Sequence, residues 1–217
     1  MRFTFATVVA AGVLGVAGCV TVAPPEPAML TFDRTDCTAV DLSKAISLTP
    51  AKEQAVHYVS APVDATSPCA TLDAKSSAYA LFAIPTDSED KTLTVGAYLE
   101  PLRILSPAVS VLDAEGRETR RFKSDEFMYR GMNYSVLFRP RPNERFVLVS
   151  SDPERVGQRY DSISIGTNAT TTYTGYGTAT IRTGVDTAQS RAFSYYGAAQ
   201  VTVNDADTKE EAAAPKP

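Results

Sequence analysis

The chain has 217 residues, with 21 Lys and Arg against 25 Asp and Glu, for a net charge of −4. That balance excludes a polybasic nucleic-acid binder. A hydrophobic content of 44% is enough for one packed domain and excludes a disordered chain.

The N-terminus carries Arg2, an apolar run from Phe3 to Val16, and then Val16-Ala17-Gly18-Cys19. The run is too short for a transmembrane helix and ends in small residues, as signal peptides do. It resembles a bacterial lipoprotein signal, in which the cysteine receives lipid. The resemblance implies a signal peptide over 1–18, a mature chain starting at lipidated Cys19, and a location in the bacterial cell envelope. With Val20 and not Asp after the cysteine, it implies the outer membrane, facing the periplasm. One acyl chain binds a bilayer marginally, and stable anchoring takes two or more. An ordinary secretory signal and an uncleaved anchor are the alternatives.

Pro24, Pro25 and Pro27 make 19–30 an extended tether. Residues 31–76 form a Cys-containing lead-in. In an oxidising compartment Cys37 and Cys69, 32 positions apart, form an even pair once Cys19 is lipidated. A bridge between them stabilises by about 3–4 kcal/mol in the chain-entropy model; two free buried thiols are the alternative. With the lone His57 they fall short of the four ligands of a structural zinc site, so no metal is expected. Thr38-Ala39-Val40-Asp41 has capping-box spacing and predicts a short helix over 39–46, stopped by Pro50. Residues 51–75 read as irregular, with one strand candidate at 55–59.

From Tyr79 the pattern becomes that of strands. Tyr79 to Ile84 is an apolar run closed by Pro85. Between Thr92 and Leu99, the residues Leu93, Val95, Ala97 and Leu99 share one face, the period of a half-buried strand. Ala108–Leu112 and Glu118–Phe122 flank the turn Asp113-Ala114-Glu115-Gly116 as a hairpin. Tyr134–Arg139 and Arg145–Ser150 suggest a second hairpin across Pro140-Arg141-Pro142-Asn143. The stretch 152–157 reads as one helical turn or a tight loop. The Thr- and Gly-rich stretch 163–177 reads as a loop or an edge ribbon. Residues 178–183 and 192–203 supply the last strands, and 204–217 read as a disordered tail. The fold class expected is mainly β, an antiparallel β-sandwich over 77–203 with a short helical lead-in.

Several stretches from 81 to 203 resemble the maltose-operon periplasmic protein (MalM-like) family. They are Phe82-Ala83-Ile84-Pro85, 105–113, Arg121-Phe122, Phe127-Met128-Tyr129-Arg130, 146–152 and the Gly/Thr/Tyr segment before the final strands. The resemblance implies an accessory envelope role linked to maltodextrin use. It brings no catalytic residues.

No catalytic constellation stands out. There is no Gly-x-Ser-x-Gly elbow beside His57 and no phosphate-cradling loop. Asp87, Glu89 and Asp90 lack calcium-loop spacing. The chain is therefore expected to be a non-enzyme without cofactor. Two features suggest binding. Tyr173, Tyr176, Tyr195 and Tyr196 bracket the Gly/Thr ribbon and are candidate sugar-stacking residues; packing within the sandwich is their alternative role. From Arg117 to Arg159 ten Lys and Arg face six Asp and Glu. There Arg117, Arg120, Arg121, Arg139, Arg141 and Arg145 are candidate contacts for an envelope protein, lipid or peptidoglycan partner. Pairing with local acids to guard strand edges is the alternative. Replacing Cys19→Ser is expected to abolish metabolic lipid labelling and release the protein from membranes. Persistent labelling would refute the lipoprotein signal.

Overall fold

The computed structural model describes residues 24–72, 74–173 and 175–205. The signal region with Cys19 and residues 206–217 lie outside them; Asn204 and Asp205, expected in the disordered tail, belong to the last strand. Among the described residues no helix is long and apolar enough to cross a membrane.

The fold is mainly β: largely antiparallel sheets packed as a sandwich, with two short parallel pairings. Fourteen strands follow one another: β1 (Ile46–Ser47), β2 (Val56–Val63), β3 (Cys69–Leu72), β4 (Lys75–Ala83), β5 (Lys91–Tyr98), β6 (Arg103–Leu105), β7 (Pro107–Leu112), β8 (Glu118–Arg121), β9 (Met128–Arg130), β10 (Asn133–Phe138), β11 (Phe146–Ser151), β12 (Arg159–Tyr173), β13 (Thr178–Ser194) and β14 (Gly197–Asp205). One sheet has the order β1-β4-β11-β7-β8, with β3 also on β4. The second has the order β2-β14-β5-β10-β9, and a third joins β12, β13 and β6.

Alternation decides which side chains enter the core. Ala78, Ala80 and Phe82 of β4, Val147 and Val149 of β11, and Val109 and Val111 of β7 point inward from the first sheet. Leu93, Val95 and Ala97 of β5, Val136 and Phe138 of β10, and Ala199, Val201 and Val203 of β14 meet them from the second. The expected inward face of 92–99 is thus the observed one. The first hairpin also forms as expected. Asp113 Oδ1 accepts from the amides of Glu115 (3.0 Å) and Arg117 (2.9 Å), and Gly116 takes a positive φ of 81° that favours glycine.

Three expectations change. The lead-in helix over 39–46 is only a 3-10 turn at Leu42–Lys44, followed by the two-residue strand β1. Asp41 is itself the N-cap, accepting from the Ser43 amide, and is not the third-residue partner of Thr38; Ile46 and Ser47 then turn extended to pair with β4. In 51–75 the strand candidate at 55–59 falls in β2, but β2 runs on to Val63 and β3 follows, so the stretch is less irregular than expected, and the expected boundary at 76/77 falls inside β4. Of the two readings of 152–157, the tight loop is the observed one, a non-helical turn. Finally, β10 and β11 do not form a hairpin: β10 pairs with β5 and β9, whereas β11 pairs with β4 and β7.

The reason is chemical. Pro140 and Pro142 offer no amide donors to a ladder, and Glu144 pulls the link across the end of the sandwich. Its fully buried carboxylate accepts from Arg120 Nη2 (2.6 Å), the Arg141 amide (2.8 Å) and Thr119 Oγ1 (3.3 Å). The Arg120 guanidinium in turn lies over the rings of Phe138 (4.6 Å) and Phe122 (5.3 Å). The pair joins the β7–β8 side of one sheet to the end of β10 in the other.

The lead-in is stitched on by Cys37–Cys69, a disulfide with a Cα separation of 4.8 Å. The expected free tether over 19–30 is shorter than its proline content suggests. Met29 donates its amide to Ser194 Oγ (2.8 Å) and accepts from the Tyr195 amide (2.9 Å), and Glu26 pairs with Arg103 (2.7 Å).

Glu144→Ala should leave the Arg120 charge and the Arg141 amide unpaired in the sandwich end. Breaking a buried pair in this way costs about 3 kcal/mol. At roughly 2–4 °C per kcal/mol for a domain of this size, thermal unfolding should begin about 6–12 °C lower. An unchanged melting curve would show that the pair does not hold the link.

Candidate functional site

The outer face of the first sheet is divided in two. Tyr79 and Leu81 of β4, Leu148 of β11 and Leu112 of β7 form a second apolar cluster, over which Val40, Leu42 and Ala45 of the lead-in pack. Tyr79 anchors this cover by accepting the Asp41 amide on its hydroxyl (2.9 Å). Leu42 also reaches Gly116, where an added Cβ would stand 3.2 Å from Leu42 Cδ1. Further along the same strands the outward residues become small and polar: Ser77 on β4, Ser150 on β11, and Ala108 and Ser110 on β7. The lead-in does not cover this half, and an open trough of about 840 Å³ remains.

Its floor and walls differ in chemistry. Ser77 is occupied, donating to the Ala78 carbonyl (2.8 Å) and accepting from the Ser151 amide (2.8 Å). Ser110 donates to Glu118 Oε2 (2.7 Å). The Ser150 hydroxyl, on a residue 5% exposed, faces the trough with no hydrogen-bond partner among the described residues. One wall is β8 and the 3-10 turn at Ser124–Glu126, with Phe122, Phe127 and an Arg121–Glu118 pair in which Nε and Nη2 both donate to Oε2 (2.9 and 2.7 Å). Opposite stand Leu72 and Lys75, with Asp152 and Glu154 at one end. Hydroxyls, a guanidinium–carboxylate pair and apolar ring surface in one concavity suit a polyhydroxylated ligand.

The four candidate tyrosines are not gathered. Tyr173 and Tyr176 stand at the tip of the β12–β13 hairpin, Tyr173 75% exposed and Tyr176 fully so. Tyr195 and Tyr196 lie just past the other end of β13, whose 17 residues span about 55 Å at the usual rise per residue. There they pack on Phe32, with ring centroids 5.8 and 6.2 Å away. Burial is the main influence that raises the Tyr196 phenol pKa.

The candidate arginines divide by partner. Arg117 is bound to Asp113 (2.8 Å) and Glu115 (2.9 Å), Arg120 to Glu144, and Arg121 to Glu118. Arg145 donates to the carbonyls of Pro142 (2.7 Å) and Glu144 (2.9 Å). Arg139 and Arg141 are exposed, and neither makes an ion pair among the described residues. The acidic group near Asp87 holds a cation from its own chain: Lys91 Nζ lies 3.2 Å from Asp87, 3.7 Å from Asp90 and 3.1 Å from Asp205. The cluster Asp36, Cys37 and Cys69 is the one metal-like grouping among the described residues, and its two cysteines are joined to each other. His57 Nδ1 sits 2.8 Å from the Gln54 amide nitrogen.

A second aromatic assembly joins Tyr129 and Tyr134 to Tyr160 and Phe193, which come from later segments and so leave no local pattern. Tyr129 stacks on Tyr160 at 3.8 Å and lies tilted against Tyr134 at 4.7 Å, and Arg155 lies over Tyr134 (5.0 Å) and Phe193 (5.1 Å). The trough serines did leave a signal, since small polar residues alternate with valines in 108–111 and follow them at 149–151. Nothing in the spacing marked which of them would stay uncovered.

Compared with protein-family models, with curated proteins and with solved structures, the chain has no significant match in any of the three.

Burial, and then the facing Tyr160 phenol, push the Tyr129 phenol up to about 12, against the opposing pull of Arg155 and Arg191. A raised folded pKa means that the folded state holds this proton longer than the unfolded one. The associated stability is complete below pH 10 and is lost as the pH rises toward 12. Tyrosinate absorbance should show one phenol ionising last, and Tyr129→Phe should remove that step. If every phenol titrates near pH 10, this stack does not shelter Tyr129.

Proposed function

We propose that this chain is a lipid-anchored, non-enzymatic accessory module of the bacterial envelope that binds a neutral oligosaccharide in the trough of the first sheet. The observation that carries it is the uncovered trough, whose serine floor presents the Ser150 hydroxyl, without a hydrogen-bond partner among the described residues, in one concavity with the Arg121–Glu118 pair. Sugar hydroxyls both donate and accept, so they match a floor of hydroxyls and a wall of paired charges. Their apolar ring faces match Phe122 and Leu148. The volume falls in the range of small-molecule sites and exceeds the need of a single sugar ring. The resemblance to the MalM-like family directs the choice of sugar to maltodextrins.

The proposed anchor agrees with the seating of the tether. Only the seven steps from Cys19 to Glu26 separate the proposed lipid from the sandwich, a reach of about 25 Å at full extension. A second proposal, contact with an anionic envelope partner, is favoured by the neighbouring exposed side chains of Arg139 and Arg141, which lack ion pairs among the described residues.

Calorimetric titration of residues 20–217 with maltodextrins from disaccharide to heptasaccharide tests the first proposal. Saturable binding that strengthens with chain length is expected. Ser150→Leu, which fills the floor, should weaken it at least tenfold while leaving the melting temperature within a few degrees. A flat titration, or binding indifferent to Ser150→Leu, would overturn it and move attention to Arg139 and Arg141.

A further inference from the structure

The β12–β13 hairpin has no core of its own. It pairs in continuous register from Arg159↔Ala192 to Tyr173↔Thr178, and only its root is fastened, through Ala192–Ser194 on β6. Along it Ile163, Ile181 and Tyr173 are exposed. Ordering a residue's backbone costs about 1–2 kcal/mol, and a lone two-stranded hairpin is marginal in water; three or more strands are needed. A further strand must come from outside this chain's sandwich.

The outer edge of β12 is open to receive one. It is the terminal strand of its sheet, and its sequence from Tyr160 to Tyr173 contains no Lys, Arg or Pro and one acid, Asp161. Exposed edges are normally guarded by such residues. We propose that β12 pairs antiparallel with β12 of a second copy, so that two hairpins form one four-stranded ribbon.

Full overlap of a 15-residue strand with itself places its midpoint, Gly166, on the two-fold axis, facing Gly166 of the second copy. No like charges then oppose one another, since Asp161 meets Thr171. The exposed tip Tyr173 meets Arg159, one residue from the Tyr160–Tyr129 stack at the other copy's root. The tip and root aromatics, far apart in one chain, are thereby brought together in two. A ladder about 50 Å long on a ribbon about 10 Å thick covers roughly 500 Å² on each copy. The total, about 1,000 Å², is at the threshold for a specific interface, and the tip-to-root contacts add to it. The pairing does not depend on the trough or its ligand.

The test is oxidative cross-linking of the full chain purified in detergent, with Gly166→Cys, Gly184→Cys and the parent compared on non-reducing gels. Mass photometry is measured alongside. A dimer band from Gly166→Cys at least tenfold stronger than from Gly184→Cys or the parent is expected, with a dimeric mass for the parent. A monomeric parent mass, or equal cross-linking at both positions, would overturn the proposal. Tyr173→Ala with Tyr176→Ala should weaken the dimer severalfold; an unchanged dimer would refute the tip-to-root contact.

Discussion

The buried contact of Glu144 with Arg120 decides the topology at one end of the sandwich. A carboxylate with no exposure must have its lone pairs satisfied, and here the donors come from β8, from the preceding residue Thr119 and from the link itself. Arg120 can enter this site because its guanidinium is weakly hydrated and stacks on Phe122 and Phe138. The link after β10 must therefore cross to the opposite sheet. Once it does, β11 is delivered between β4 and β7, where Val147 and Val149 complete the core. A local hairpin would have left the first sheet without its central strand.

Arrival of β11 in that position also makes the candidate site. Its outward residues are Leu148 and then Ser150, and the covering lead-in follows the same change from large to small. Where side chains are large, Val40, Leu42 and Ala45 gain apolar burial; where they are small, there is nothing to bury and the cover stops. The Cys37–Cys69 bridge and the Tyr79 hydroxyl hold the cover in place. Trough and cover are thus two outcomes of one alternation along β4, β7 and β11.

Much of the strand content was legible. Leu93, Val95, Ala97 and Leu99 point inward as their period requires, and the Asp113–Gly116 turn makes its hairpin, because both depend on local stereochemistry. The lead-in was misjudged: capping spacing at 38–41 suggested a helix, but pairing with the edge of β4 prevailed over a weak local preference. The aromatic candidates at 173–196 were near in sequence yet are held apart by a straight ribbon. Tyr160, by contrast, meets Tyr129 from another segment of the chain.

By itself the amino-acid sequence determined the period-two burial pattern, the mainly β class, the turn chemistry and an even cysteine pair, all of which follow from steric and hydrophobic rules acting over a few residues. Tertiary structure alone decided which strands became neighbours, that Arg120 faces Glu144, and that Ser77, Ser110 and Ser150 share one uncovered floor. Those outcomes rest on contacts between segments tens of residues apart. Their energies depend on burial and partner geometry, which no local pattern encodes.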